Sequence, residues 1–204
     1  MGPSSNNALD DRIRAFLKNC PEDNYFDVGP GEGKFGKMIR ELFGKKPRIV
    51  AVEPDKEVVK KCKLNEIYNH IEEKRAQDLI YRIPDFRTDI VIMGDILEHL
   101  KKSDGIDFLE FISYRCKYII LKFPSAYMQY AKKNPFDAHV SIWQPKDFHN
   151  NDYVPVVAEE EEKYTNLIIL QGFFGGMEDM YMKCDKQHKD EKTWQNILNK
   201  VDVI

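Results

Sequence analysis

The sequence predicts an α/β fold, a mostly parallel sheet with helices on both of its faces. Three observations predict it: short apolar runs alternate with amphipathic helical segments from Tyr25 onward, a glycine-rich turn joins the first run to the first long helix, and two late extended runs leave no room for a helix between them. At 204 residues the chain is long enough for one domain with a full core, so neither disulfides nor a structural metal are needed.

A leading helix comes first. Over Ala8 to Leu17, the residues Leu9, Ile13, Phe16 and Leu17 fall on one helical face. Tyr25-Phe26-Asp27-Val28 is then a short buried strand, and Gly29-Pro30-Gly31-Glu32-Gly33 turns it into a helix over Lys34 to Phe43. Phe35, Met38, Ile39, Leu42 and Phe43 form the apolar stripe of that helix, and Gly44 is its stop signal. Arg48 to Glu53 reads as a second buried strand ending on an acid. Pro54-Asp55 turns the chain into a helix with Val58, Val59 and Cys62, which Asp55 is placed to cap.

A weak strand follows over Glu73 to Leu79, then stronger ones at Asp89 to Met93 and at Lys117 to Lys122. Between the stronger two, Ser103 can cap a helix carrying Ile106, Leu109 and Ile112. Tyr153 to Glu159 and Thr165 to Gln171 should form an antiparallel hairpin at one sheet edge. Near the end, Trp194, Ile197, Leu198 and Val201 have helical spacing. The expected organisation is a tail or cloning remnant over 1–9, a domain over 10–174 and a C-terminal helical extension over 175–204.

Charge and cysteine usage exclude several classes. With 31 Lys and Arg against 34 Asp and Glu, the net charge is -3, which argues against non-specific nucleic-acid binding through phosphate neutralisation. No apolar run approaches the ~20 residues of a membrane span, and the N-terminus lacks the basic start and apolar stretch of a signal peptide. The expected location is the cytoplasm. The 4 cysteines, Cys20, Cys62, Cys116 and Cys184, include no C-x-x-C pair, so reduced thiols are expected and no metal site.

The chemistry is expected at the first strand-turn-helix, because glycines after a parallel strand let a ligand approach the carboxyl end of a sheet. Gly31, Gly33 and Gly36 match the spacing of a dinucleotide turn, but Asp27 on the strand ahead would face the pyrophosphate charges. An ammonium-bearing ligand suits that carboxylate better. Glu53, about twenty residues past Gly33, can accept both protons of a ribose diol.

Asp27-Val28-Gly29-Pro30-Gly31-Glu32-Gly33, Val52-Glu53-Pro54-Asp55 and Gly94-Asp95-Ile96-Leu97-Glu98-His99-Leu100, in that order, resemble the class I S-adenosylmethionine-dependent methyltransferases. The resemblance extends over about Asp10 to Phe174 and takes in Lys122-Phe123-Pro124-Ser125 and His139-Val140-Ser141-Ile142-Trp143. It implies a Rossmann-like, seven-stranded, mostly parallel sheet with an antiparallel last strand, and S-adenosyl-L-methionine as cofactor. It further implies that Asp27, Gly29, Gly31 and Gly33 surround the methionine part, and that Glu53, followed by Pro54, holds the ribose. Asp78 would contact the adenine amino group and Leu79 would flank the ring. Asp95 would lie near the methyl donor, with Glu98-His99 beginning the helix beneath it.

Each implied role has a plainer rival. Asp78 can instead hydrogen-bond its own backbone in a turn, and His99 can serve packing beneath the site. His139, Asp95 and His99 are the candidate catalytic residues, with His139 as general base, although a histidine there can equally order a loop. Tyr127, Met128, Tyr130, Phe136 and Trp143 supply apolar surface for a lid over a small acceptor, or for the core. No Asn/Asp-Pro-Pro-Tyr or Pro-Cys follows the fourth strand, which leaves O- or N-methylation of a small-molecule acceptor as the expectation.

Two alternatives compete with that expectation. Asp95, Lys122, Glu159 and Lys18 resemble part of the tetrad of RNA ribose 2′-O-methyltransferases, and a non-catalytic cofactor-binding scaffold is also open, as is a homodimer.

Overall fold

The computed structural model describes residues 7–80, 86–125, 138–148, 154–162 and 164–174, with the backbone alone over 154–162. Tyr127, Met128, Tyr130, Phe136, Cys184 and the helical pattern around Trp194 lie outside the described residues.

The chain runs α1 (Asp10–Asn19), β1 (Asn24–Val28), α2 (Lys34–Phe43), β2 (Arg48–Val52), α3 (Lys56–Lys61), β3 (His70–Glu72), β4 (Ile90–Gly94), α4 (Lys102–Ser113), β5 (Tyr118–Pro124), β6 (Val154–Glu162) and β7 (Thr165–Gln171). These strands make a 7-stranded sheet in the order β3-β2-β1-β4-β5-β7-β6. β1 pairs in parallel with β2 and β4, β2 with β3, and β4 with β5. β7 runs against the other strands, inserted between β5 and β6 and antiparallel to both. The late hairpin therefore forms as expected, and β6 is the edge, irregular at two register shifts.

The apolar runs read from the sequence are buried because both faces of the sheet are covered. On one face, Phe26, Val28, Val50, Val91, Met93, Ile119 and Leu121 pack with Phe108, Leu109 and Ile112 of α4. On the other, Tyr25, Ile49, Ala51, Ile90, Ile92 and Ile120 pack with Ile13 and Phe16 of α1 and with Phe35, Met38 and Ile39 of α2. Successive strand residues face opposite layers, so an unbroken apolar run serves both. The thiols of Cys20, Cys62 and Cys116 are free.

Three local expectations are corrected. The third strand is β3, His70–Glu72, and Ala76–Leu79 is a 3-10 turn, so Asp78 does not end a strand. Glu98-His99 belong to another 3-10 turn, Leu97–His99, and do not begin α4. The residue before α4 is Lys101, which leaves Ser103 inside the first turn with its hydroxyl donating to Asp104. By contrast, Asp55 caps α3 as expected, accepting from the N–H groups of Glu57 and Val58.

A polar clamp ties the amino ends of the inner strands. Asp89 Oδ2 accepts from the backbone N–H and the side-chain amide of Asn24, each at 2.9 Å. Lys117 Nζ lies 2.9 Å from Asp89 Oδ1 and 2.8 Å from Glu22 Oε2. Burial alone would raise the pKa of Asp89, but donation from Lys117 and Asn24 outweighs it and the net shift is downward. A depressed carboxyl contributes stability above its ordinary pKa and loses it as pH falls through the folded value. Asp89→Ala should cost about 1–3 kcal/mol in urea unfolding at neutral pH, and the deficit should shrink on acidification toward about pH 3. A deficit that stays constant with pH would contradict this role.

Candidate active site

The carboxyl ends of β1, β2 and β4 lie side by side and carry the acids that the sequence singled out. Asp27 is 1% exposed, on the face that α2 covers. The phenol of Tyr68 donates to Asp27 Oδ2 at 2.5 Å, while Asp27 Oδ1 is buried without a hydrogen-bond partner. Burial pushes the carboxyl up to about 7, against the hydrogen bonds from Tyr68 and the Gly36 backbone and with repulsion from Glu53 adding to the rise. Tyr68 reaches it by lying across α2 at Gly36, where an added Cβ would stand 2.5 Å from the phenol ring. Sequence reasoning missed Tyr68, because nothing in its local pattern separates it from an ordinary core tyrosine.

The glycine turn takes the backbone conformation its composition suggests. Gly29, Gly31 and Gly33 have φ values of 67°, 52° and 78°, which favour glycine. Gly29 N–H donates to Val52 C=O at 2.9 Å, tying the turn to the end of β2. At Gly29 the space of a Cβ is taken by Ile96, whose Cδ1 would be 2.5 Å away. That position serves close packing against the chain after β4 as well as any ligand.

Glu53 follows β2, is 7% exposed, and accepts from the Asp55 N–H at 2.9 Å through Oε1. That bond orients the carboxylate and leads the chain through half-buried Pro54 into α3. Asp78 is exposed in the 3-10 turn after β3, while Leu79 is 2% exposed within the core. Asp95 has φ 54°, and its N–H donates to the Lys122 carbonyl at 2.7 Å, so the chain is bent sharply where it leaves β4.

The turn after β4 and the segment before β6 form one unit. Val140 and Ser141 N–H both donate to the Glu98 carbonyl, at 2.7 and 3.2 Å. Trp143 Nε1 donates to the Leu97 carbonyl at 2.9 Å, and its ring is 2% exposed and stacked on Phe148, so Trp143 is a core residue. This docking brings His139 against His99, their rings edge to face with centroids 4.8 Å apart. The sequence named both histidines as candidates, but not that they touch. Glu98 is 3% exposed and its carboxyl is pushed up to about 8, by burial first and by repulsion from Asp95 second.

The lysines that resemble the RNA-methylating tetrad do not converge. Lys122 is fully buried, and its Nζ donates to Asp10 Oδ1 at 3.0 Å at the start of α1. Lys18 is exposed in the last turn of the same helix, about 12 Å farther along its axis.

Comparison with known proteins places the fold. No family model and no curated protein matches the sequence. Among solved structures, an O-methyltransferase family protein from Burkholderia thailandensis is similar at 9% identity and a TM-score of 0.58, over 80% of this chain and 56% of that one. The chain thus spans just over half the length of that protein. A SAM-dependent methyltransferase from Archaeoglobus fulgidus is similar at 15% identity and TM-score 0.55, over 79% and 93% of the two chains. Magnesium protoporphyrin IX methyltransferase from Synechocystis PCC 6803, solved with bound SAM, is similar at 15% identity and TM-score 0.53, over 78% and 75%. At these identities the likeness shows the fold, the Rossmann-like fold of the class I methyltransferases.

The Tyr68 hydrogen bond favours the ionised form of Asp27, so its loss matters most where Asp27 is charged. Tyr68→Phe should destabilise the protein by about 1–3 kcal/mol near pH 8 and by clearly less near pH 5.5, where Asp27 keeps its own proton. Equal losses at the two pH values, measured by denaturant unfolding, would rule out this coupling.

Proposed function

We propose that the chain is an S-adenosylmethionine-dependent methyltransferase acting on an oxygen or nitrogen of a small-molecule acceptor. The observation that carries the reading is Asp27: a buried carboxyl with an unpartnered oxygen, close enough to be repelled by Glu53, beneath a glycine turn. Two acids at the ends of adjacent parallel strands fit a ligand with a cationic amino group and a vicinal diol. S-adenosylmethionine has both, and when bound it supplies an electrophilic methyl group on a sulfonium. The fold is the one in which the solved methyltransferases above are built.

The chain's own residues then have separate tasks. Asp27 balances the ammonium through the turn, and Glu53 accepts the ribose hydroxyl protons. Gly29, Gly31 and Gly33 let the backbone approach the methionine part. Asp95, held by its bond to the Lys122 carbonyl, lies on the methyl side, where positioning the nucleophile and excluding water supply most of the rate. Where an acceptor must lose a proton, His139 is the general base, in contact with His99. The separated lysines favour a small acceptor over a ribose in RNA.

Calorimetry should detect S-adenosylmethionine binding to the purified chain, and Asp27→Asn and Glu53→Ala should each weaken it about 5- to 150-fold, equivalent to ~1–3 kcal/mol. Because Asp27 must ionise to balance the ammonium, wild-type affinity should rise with pH through about 7, and Asp27→Asn should flatten that rise. Absence of cofactor binding would overturn the reading. A labelled-donor screen over hydroxyl and amine acceptors tests transfer itself, and label appearing only in RNA would refute the small-molecule acceptor.

A further inference from the structure

Three donor groups from two distant parts of the chain meet beside the proposed methyl-transfer site. A carboxylate oxygen of Glu98 and ring nitrogens of His99 and His139 all lie within 4.8 Å of one another. They lie next to the cofactor turn in the fold, since Ile96, two residues before Glu98, packs on Gly29.

Two further observations point to a ligand for these groups. Glu98 Oε2 is buried with no hydrogen-bond partner, in a residue only 3% exposed. An orphaned carboxylate oxygen is costly inside a protein, and a cation or a proton must offset it. The second observation concerns His99. Its Nδ1 lies 3.1 Å from the Ala138 carbonyl, which can only accept, so Nδ1 donates there and Nε2 is the nitrogen that faces Glu98. That Nε2 lies 4.0 Å from Glu98 Oε1. A histidine whose far nitrogen is held by a backbone carbonyl has the arrangement usual for metal-ligating imidazoles.

We propose that Glu98, His99 and His139 form a binding site for one divalent first-row transition ion. Two imidazoles and one carboxylate suit manganese, iron, cobalt or zinc, whereas magnesium and calcium prefer oxygen donors throughout. Ligand bonds of ~2.0–2.2 Å place donor atoms about 3 to 4.4 Å apart, so donors spread over up to 4.8 Å close by roughly 0.4 to 1.8 Å when an ion binds. Three protein donors leave at least one coordination position for water or for an acceptor oxygen. The ion's use in the reaction rests on the function proposed above, where it would replace His139 as base by lowering an acceptor hydroxyl's pKa so that its proton passes to solvent water; its binding does not. The sequence expectation of no metal site rested on cysteine spacing, which does not bear on ligands this far apart in the chain.

The test uses the full chain after removal of metals by chelation. Titration with Co²⁺, followed by its visible d–d absorption and by calorimetry, should show one ion bound per chain, and Mg²⁺ should bind far more weakly. His139→Ala, His139→Asn and Glu98→Gln should each weaken Co²⁺ binding by at least about 10-fold while circular dichroism shows them folded. Three results would each overturn the proposal: no saturable Co²⁺ binding at millimolar concentration, thiolate-to-cobalt charge-transfer bands that place the ion on cysteine, or unchanged affinity in folded variants. Binding of Mg²⁺ as tight as that of Co²⁺ would overturn the choice of ion. Neither titration contains S-adenosylmethionine, so the site can fail while cofactor binding stands, and the reverse.

Discussion

A carboxyl group buried inside the sheet constrains everything around it. Asp27 interrupts an apolar strand on the face covered by α2, and a buried acid must be protonated, hydrogen-bonded or matched by a cation. Tyr68 meets part of that demand, and its position sets the local packing: the phenol lies across α2 where Gly36 leaves space, with Gly33 one turn earlier against Leu64 and Ile67. The helix, the glycine turn and the segment leading to β3 are thereby fixed relative to one acid. What remains unsatisfied is Oδ1, and its pKa near 7 means that the protein alone does not hold the charge well.

The same logic recurs across the carboxyl edge of the sheet. Burial raises the pKa of Asp27 and of Glu98, and repulsion from Glu53 and from Asp95 adds to the respective rises. Pairs of like charges at strand ends weaken the protein without ligands and are retained where a ligand supplies the opposite charge. The amino edge behaves differently. There Asp89 faces Lys117 and Asn24, and its pKa moves down. The two ends of the sheet therefore differ in kind: one is closed by its own counter-charges, while the other is left short of positive charge where ligands are expected.

Much of this was legible in the sequence, and the reasons differ by element. α2 was read to the residue because its stripe, glycine turn and terminal Gly44 all mark the same boundaries. The inner strands were legible because burial on both faces makes them continuous apolar runs. β3 was misplaced by a few residues, since His70-Ile71-Glu72 is short, half-exposed and carries no apolar run. The placement of Asp78 moved with it: the strand ends at Glu72, and the acid lies exposed in a 3-10 turn. Asp27 and Glu53 were legible as acids ending apolar strands, but their partners were not. Tyr68 and the meeting of His99 with His139 depend on tertiary approach, which no local pattern encodes.

That last contact also bears on how acceptor choice could be encoded. The backbone of Glu98 accepts two N–H bonds from Val140 and Ser141, and Trp143 donates to Leu97, so the segment carrying His139 is fixed by main-chain bonds and a buried indole. Of the three donor side chains, His99 also holds the segment, through its ring Nδ1 at 3.1 Å from the Ala138 carbonyl. Substitutions at Glu98 or His139 leave the main-chain bonds and the indole bond in place, whereas a substitution at His99 removes one of the docking contacts. Under the proposed function, the strands and the glycine turn would serve the cofactor, and this docked segment would serve the acceptor.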